Sequence, residues 1–193
     1  MIQNKVSLKI LISGFGSIGL KHAKIVKEIF PSCSLAVFSK RNIKSYKKIY
    51  DVKDIINFNP DYIIISSYTS EHFKQLKFFN KLLSNKKILV EKPLYENLYN
   101  KNIIVKNKIY VGYNLRFHPL IKLIKKLTHN KILWNYQVFC GSYLPSWRSN
   151  VAYQRSSSAK KQLGGGVLLD LSHELDYVQW LFGKIKIEHC KSK

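Results

Sequence analysis

The chain has 193 residues, 46% of them hydrophobic, and a formal net charge of +22 from 33 basic and 11 acidic side chains. That supplies one full core, or one core and part of a second, and no apolar run approaches the ~20 residues needed to span a bilayer, so no membrane partner is expected. The lysines are scattered through helices and loops, without a dominant basic block or an RNA-binding or zinc-finger pattern. The charge therefore reads as compositional drift, with no specific nucleic-acid partner expected. Cys33, Cys140 and Cys190 are isolated and odd in number, with neither metal spacing nor a disulfide framework, which fits a reducing cytoplasm. Lys5 and Lys9 precede apolar residues as in a signal peptide, but no small-residue cleavage site follows.

Val6, Leu8, Ile10 and Ile12 alternate, with Leu11 also apolar, and predict a buried first strand. It runs into Gly14-Phe15-Gly16-Ser17-Ile18-Gly19, a G-x-G-x-x-G spacing between a strand and a helix over 18–30. In a dinucleotide-binding turn Gly14 would permit the sharp turn, Gly16 the approach of a pyrophosphate and Gly19 close packing of helix on strand. The helix N-terminus would offer free N–H groups and the positive end of its dipole. Pro31 stops this helix, and Ser34 to Phe38 is the second strand. Where an acid would grip the adenosine ribose, the sequence reads Ser39-Lys40-Arg41. A hydroxyl followed by two cations suits a ribose 2′-phosphate and favours NADP over NAD; the alternative is a pair of exposed loop charges.

Asp51 to Phe58 predicts a short helix and Asp61 to Ile65 a strand that opens into Ser66-Ser67-Tyr68-Thr69-Ser70. Ligands sit at that carboxyl edge in an open parallel sheet, which makes Ser66, Ser67 and Tyr68 cofactor-contact candidates. Ser70 is placed to cap a helix from His72 to Leu83 with Phe73, Leu76 and Phe79 inward. His72, beside the loop, is read as structural or cofactor-facing before catalytic. Lys87 to Val90 is a strand that ends in Glu91-Lys92-Pro93, where a lysine fixed by proline points into the crevice; the alternative is one surface lysine among many. Ile109 to Tyr113 predicts another strand, followed by Asn114 and Arg116.

Ile121, Leu123, Ile124 and Leu127 suggest a helix, Leu133 to Gly141 a strand, and Ser142 to Leu163 a long polar loop containing Pro145, Trp147 and Arg148. Gly164-Gly165-Gly166 leads into one amphipathic helix over 167–182, with Asp170, His173 and Asp176 three apart on one face. After Gly183 a short strand is expected over Lys184 to Glu188.

These separated motifs together resemble the glucose–fructose oxidoreductase / inositol dehydrogenase (Gfo/Idh/MocA) family. The matching pieces are the glycine turn, Glu91-Lys92-Pro93, Gly112-Tyr113-Asn114 with Arg116-Phe117, and the triple glycine followed by Asp170, His173 and Asp176. The resemblance implies an α/β chain: a Rossmann dinucleotide-binding domain over 1–117, then an incomplete α/β substrate domain over 118–193. It implies hydride transfer between a nicotinamide and a hydroxyl or keto carbon of a sugar or sugar nucleotide. Lys92 would hold the reacting hydroxyl, His173 would be the general base and Asp170 would orient the pair, while Glu91, Asn114 and Arg116 join the cofactor contacts. The substrate-domain sheet would supply a homo-oligomer contact. The run from Gly141 to Arg148 also looks like members associated with surface-glycan sugar biosynthesis. The family spaces its helix Asp-x-x-x-His, whereas two residues separate Asp170 from His173 here. Family members are also much longer, so a C-terminally truncated, catalytically inactive member that binds a dinucleotide is the alternative.

Overall fold

The computed structural model describes residues 7–99, 105–147 and 152–191, so Val6 and Arg148 lie outside the described residues. Six parallel strands form one sheet: β1 (Lys9–Ser13), β2 (Ser34–Phe38), β3 (Lys47–Ile49), β4 (Tyr62–Ile65), β5 (Lys87–Val90) and β6 (Lys108–Val111). Their order is β3-β2-β1-β4-β5-β6, so the two halves of the sheet meet between β1 and β4, and the chain crosses from one half to the other after β3. Leu11 pairs with Ala36 on one side and Ile63 on the other, and Ile63 pairs in turn with Ile88.

Alternation along each strand divides the core between the two faces. Ile10, Ile12 and Ile64 pack with Ala23 and Val26 of α1 (Ser17–Ile29). Leu11, Ile63, Ile65 and Ile88 face the other way, onto Ile55 and Phe58 of α2 (Val52–Phe58) and Leu76 and Phe79 of α3 (Thr69–Leu82). The Asp51 carboxylate caps α2 by accepting from Asp54 N at 2.8 Å. Helix α3 starts earlier than its apolar pattern suggests. Tyr68 is its N-cap, and Ser70, expected to cap it, sits inside the first turn. Phe73 leaves the expected inward stripe and stacks on Tyr99 at 3.9 Å. Strand β3 escaped the sequence pattern because it is a three-residue edge strand bearing two lysines.

Beyond β6 the structure departs further from expectation. Helix α4 (Pro119–Thr128) forms as expected, but Leu120, Leu123, Ile124 and Leu127 are all exposed. Residues 133–141 and 184–188, read as strands, are irregular. An alternating pattern needs a neighbour to complete its hydrogen-bond ladder, and no described strand lies beside either segment. The expected long helix breaks at Leu171 into α5 (Val167–Asp170) and α6 (Ser172–Phe182). Lys125 of α4 anchors α6: its Nζ donates to Trp180 O at 3.0 Å and lies 3.6 Å from the centre of the indole ring. Among the described residues no helix is long and apolar enough to cross a membrane.

Phe79 is fully buried against the sheet. Phe79→Ala should destabilise the chain by roughly 3–5 kcal/mol in urea unfolding, the usual cost of deleting a core aromatic. A loss below about 1 kcal/mol would contradict its place in the core.

Candidate active site

The carboxyl ends of β1, β4, β5 and β6 share one edge, and the residues that follow them form the candidate site. Gly14 leaves β1 with φ +89°, where a Cβ would lie 2.6 Å from Ser67 N. Only a glycine lets the exits of β1 and β4 approach so closely. Ser66 Oγ donates to Gly14 O at 2.9 Å, and a Cβ on Gly19 would lie 2.4 Å from that same oxygen. Gly16 is different: nothing lies within 4 Å of where its Cβ would stand. It is the N-cap of α1, no side chain caps that helix and its first turn holds no acid. The first N–H groups of α1 therefore face open space, as a dinucleotide pyrophosphate requires. Ser17 and Ile18 are exposed beside this opening, while the Phe15 ring packs edge-on against Tyr46 at 5.6 Å.

Ser39, Lys40 and Arg41 stand at the exit of β2, with Ser39 Oγ accepting from Arg41 N at 3.2 Å. Both cations are exposed, and neither has a carboxylate partner among the described residues. Tyr68 and Asn114 are exposed at the same edge. His72 lies underneath it, 1% exposed, with Nδ1 2.9 Å from Pro93 O and Nε2 3.3 Å from Ser67 O. Burial pulls its pKa down against those two carbonyls. A neutral ring carries one N–H, and the shorter contact assigns it to Pro93. His72 thus ties the exit of β5 to the exit of β4 from below.

At the exit of β5, Glu91 N donates to Ile65 O at 2.9 Å and the Lys92–Pro93 bond is cis. Glu91 Oε1 lies 2.6 Å from Nε2 of His22 on α1. His22 escaped the sequence reading because nothing in the helical pattern separates it from the lysines around it. Lys92 Nζ donates to the main-chain oxygen of Asp170 at 2.5 Å. Lys92 and Asp170 are thus brought together as expected, but through a backbone carbonyl rather than the carboxylate.

The triple glycine makes this meeting possible. A Cβ on Gly164 (φ +78°) would lie 2.6 Å from Thr69 Cβ, and one on Gly165 would lie 2.1 Å from Ser157 O. The loop therefore seats backbone against the start of α3 and the turn at Ser157–Ala159. The break at Leu171 leaves Asp170 at the end of α5, with His173 and Asp176 on α6. His173 faces the Tyr113 ring edge-on at 5.7 Å, and its Nδ1 is buried without a hydrogen-bond partner among the described residues. Burial first, then the Lys92 charge, hold its pKa below the ordinary value of 6.5; Glu174, Glu91 and Asp176 oppose them. Arg116 Nε donates to Asp176 Oδ2 at 2.7 Å and its Nη2 to the other carboxylate oxygen, so the guanidinium is directed to α6.

A separate cavity of about 560 Å³ lies at the opposite edge, lined by Lys9, Lys27, Lys47 and Lys48 among others. Three of these lysines already have partners: Lys27 donates to Cys33 O at 2.7 Å, and Lys47 and Lys48 lie over the rings of Phe58 and Tyr50. It holds none of the groups described above.

Residues 134–192 match the model of the Oxidoreductase family, C-terminal alpha/beta domain, of the Gfo/Idh/MocA group. Levoglucosan dehydrogenase from Pseudarthrobacter phenanthrenivorans is 26% identical over 173 residues, covering 83% of this chain and 43% of that protein. An uncharacterized oxidoreductase from Synechocystis is 25% identical over 176 residues, covering 86% and 44%. The chain thus spans less than half the length of these curated relatives. Among solved structures, the WlbA (WbpB) dehydrogenase from Thermus thermophilus, in complex with NAD and UDP-GlcNAcA, matches with a TM-score of 0.69 at 20% identity, over 92% of this chain and 64% of that one. The WlbA dehydrogenase from Chromobacterium violaceum, with NADH and UDP-GlcNAcA, gives 0.72 at 15% identity, over 92% and 56%. The structural matches speak for the fold. With the family match downstream of the glycine turn and the curated relatives spanning both, the chain is similar to oxidoreductases of the Gfo/Idh/MocA family.

Proposed function

We propose that this chain carries the nicotinamide-binding half of an oxidoreductase that moves hydride between the cofactor and a hydroxyl or keto carbon of a sugar or sugar nucleotide. The observation that carries the reading is the uncapped, open start of α1 at Gly16 together with a His173 that feels the Lys92 charge. In this reading residues 1–117 bind the cofactor, and 118–193 begin the C-terminal α/β domain. The UDP-sugar acids bound by the similar WlbA dehydrogenases make a sugar nucleotide, and so surface-glycan biosynthesis, the first substrate class to try. The cysteines are free, in keeping with a cytoplasmic site of action.

When bound, the nicotinamide supplies the hydride acceptor or donor. The chain's own groups handle the proton. His173 takes the hydroxyl proton as hydride leaves the carbon and returns it in the reverse direction. Lys92 holds the hydroxyl oxygen, and burial together with the Lys92 charge keeps His173 unprotonated, and so able to accept a proton, to lower pH than an ordinary histidine. The uncapped start of α1 holds the pyrophosphate, and Ser39, Lys40 and Arg41 hold the adenosine ribose end. That trio favours NADP, whereas the WlbA structures named above hold NAD or NADH. A second reading is dinucleotide binding without turnover. It is favoured by the apolar groups exposed on α4 and at Trp134 and Phe139.

Thermal melting of the full chain with NADPH, NADH or neither should show stabilisation by both nucleotides and more by NADPH, since a ligand selective for the folded state raises its stability by mass action. An equal or larger shift with NADH would remove the ribose-phosphate role of Lys40 and Arg41. Gly16 has φ −84° and empty space ahead of it, so Gly16→Val should leave the unliganded melt nearly unchanged yet abolish the nucleotide-induced shift. A variant that still binds would place the pyrophosphate elsewhere. With a sugar-nucleotide alcohol as substrate, Lys92→Ala should lose at least ~100-fold in turnover, and the acid limb of the wild-type oxidation profile should lie below pH 6.5. Full activity in Lys92→Ala would refute the assignment. Nucleotide binding without turnover on any sugar tried would favour the second reading.

A further inference from the structure

We infer that Tyr113 and the Arg116–Asp176 ion pair are positioning residues, a two-point clamp that holds His173 opposite Lys92. This rests on the reading of Lys92 and His173 as the reacting pair. The clamp begins in the sheet. Val90 of β5 and Val111 of β6 are register partners. Lys92 lies two residues beyond the first and Tyr113 two beyond the second, so adjacent parallel strands deliver them to the same edge with the same offset. Tyr113 then opens the tight turn Asn114–Phe117, in which Arg116 lies three residues on.

On α6, His173 and Asp176 are also three residues apart and share a face. The two spacings match: Tyr113 meets His173 and, one turn along, Arg116 meets Asp176. A single contact would leave α6 free to pivot, whereas two contacts a turn apart fix both its rotation and its height. The second is the stronger, because the planar guanidinium engages both carboxylate oxygens and sets direction as well as distance. The Asp176 side chain is only 10% exposed, so the carboxylate end of the pair is held within the protein while the Arg116 side chain is 41% exposed. Lys125 on Trp180 secures the next turn of the same helix.

The charged groups around His173 allow the clamp to be separated from plain electrostatics. Lys92 and Glu91 approach from the exit of β5, Glu174 and Asp176 from α6 itself, and Arg116 stands on the far side of Asp176. The Asp176 charge acts to raise the pKa of His173. If charge were its whole contribution, Asp176→Asn would lower that pKa further. If Asp176 positions α6, the same change lets His173 leave its burial and move off Lys92, and its pKa rises toward 6.5.

The test is an NMR titration of the full chain labelled at histidine Cε1, with the six histidines assigned by single replacement. The clamp predicts an upward move in Asp176→Asn and in Tyr113→Ala, with Tyr113→Phe titrating like the wild type because it keeps the ring. A downward move or none in Asp176→Asn overturns the ion pair's role. Equal behaviour of the Phe and Ala variants overturns Tyr113's. Melting curves identify any variant that fails to fold, and the Tyr113 pair decides the matter if Asp176→Asn does. A wild-type His173 that titrates at the ordinary value would instead refute its placement beside Lys92, and with it the reading of the reacting pair.

Discussion

The crevice depends on one backbone-to-backbone approach, that of Gly14 to Ser66 and Ser67. Strands β1 and β4 are neighbours in the sheet, and the chains leaving them diverge toward helices on opposite faces. At the floor of the opening between those helices the two exits lie against each other. A single Cβ at Gly14 would meet the Ser67 backbone well inside van der Waals contact and force the exits apart. Because no side chain caps α1, its donors stay free at the place where an anion would be received.

The second half of the site is joined to the first by few contacts, and most of them involve the backbone. The triple glycine lies on the start of α3, and Lys92 reaches the main-chain oxygen of Asp170. Arg116 ties the end of the sheet to α6 through Asp176. This arrangement suits chemistry in which a neutral base must sit near a cation. Proximity of Lys92 and partial burial both discourage protonation of His173, while three nearby carboxylates keep the effect moderate. His72 ties the loops together from beneath, and the His22–Glu91 pair joins the exit of β5 to α1.

The elements that the sequence reading placed correctly carry local signals. Alternating Ile10 and Ile12, the uninterrupted Ile63–Ile65 and the short helix after Asp51 are decided by residues close in sequence, and the structure keeps each of them. The misplaced elements depend on something distant. Residues 133–141 alternate as a strand does, but a strand exists only where another supplies its ladder. The apparent single helix over 167–182 has good periodicity, yet its two pieces serve different neighbours. Asp170 turns toward Lys92, and His173 toward Tyr113.

By itself the sequence determined five of the six strands, the glycine turn that follows the first and, through the family resemblance, Lys92 and His173 as the residues to watch. The strands follow from periodicity and the turn from glycine's missing Cβ, whereas the two site residues rest on the resemblance. Tertiary structure alone decided that Asp170 presents its carbonyl, that Arg116 spends its guanidinium on Asp176 and that His72 is buried beneath the loops. Each of these depends on which group arrives opposite, across separations of 78, 60 and 21 residues in the chain. No local pattern encodes such a meeting, because hydrogen-bond partners are chosen by position in space.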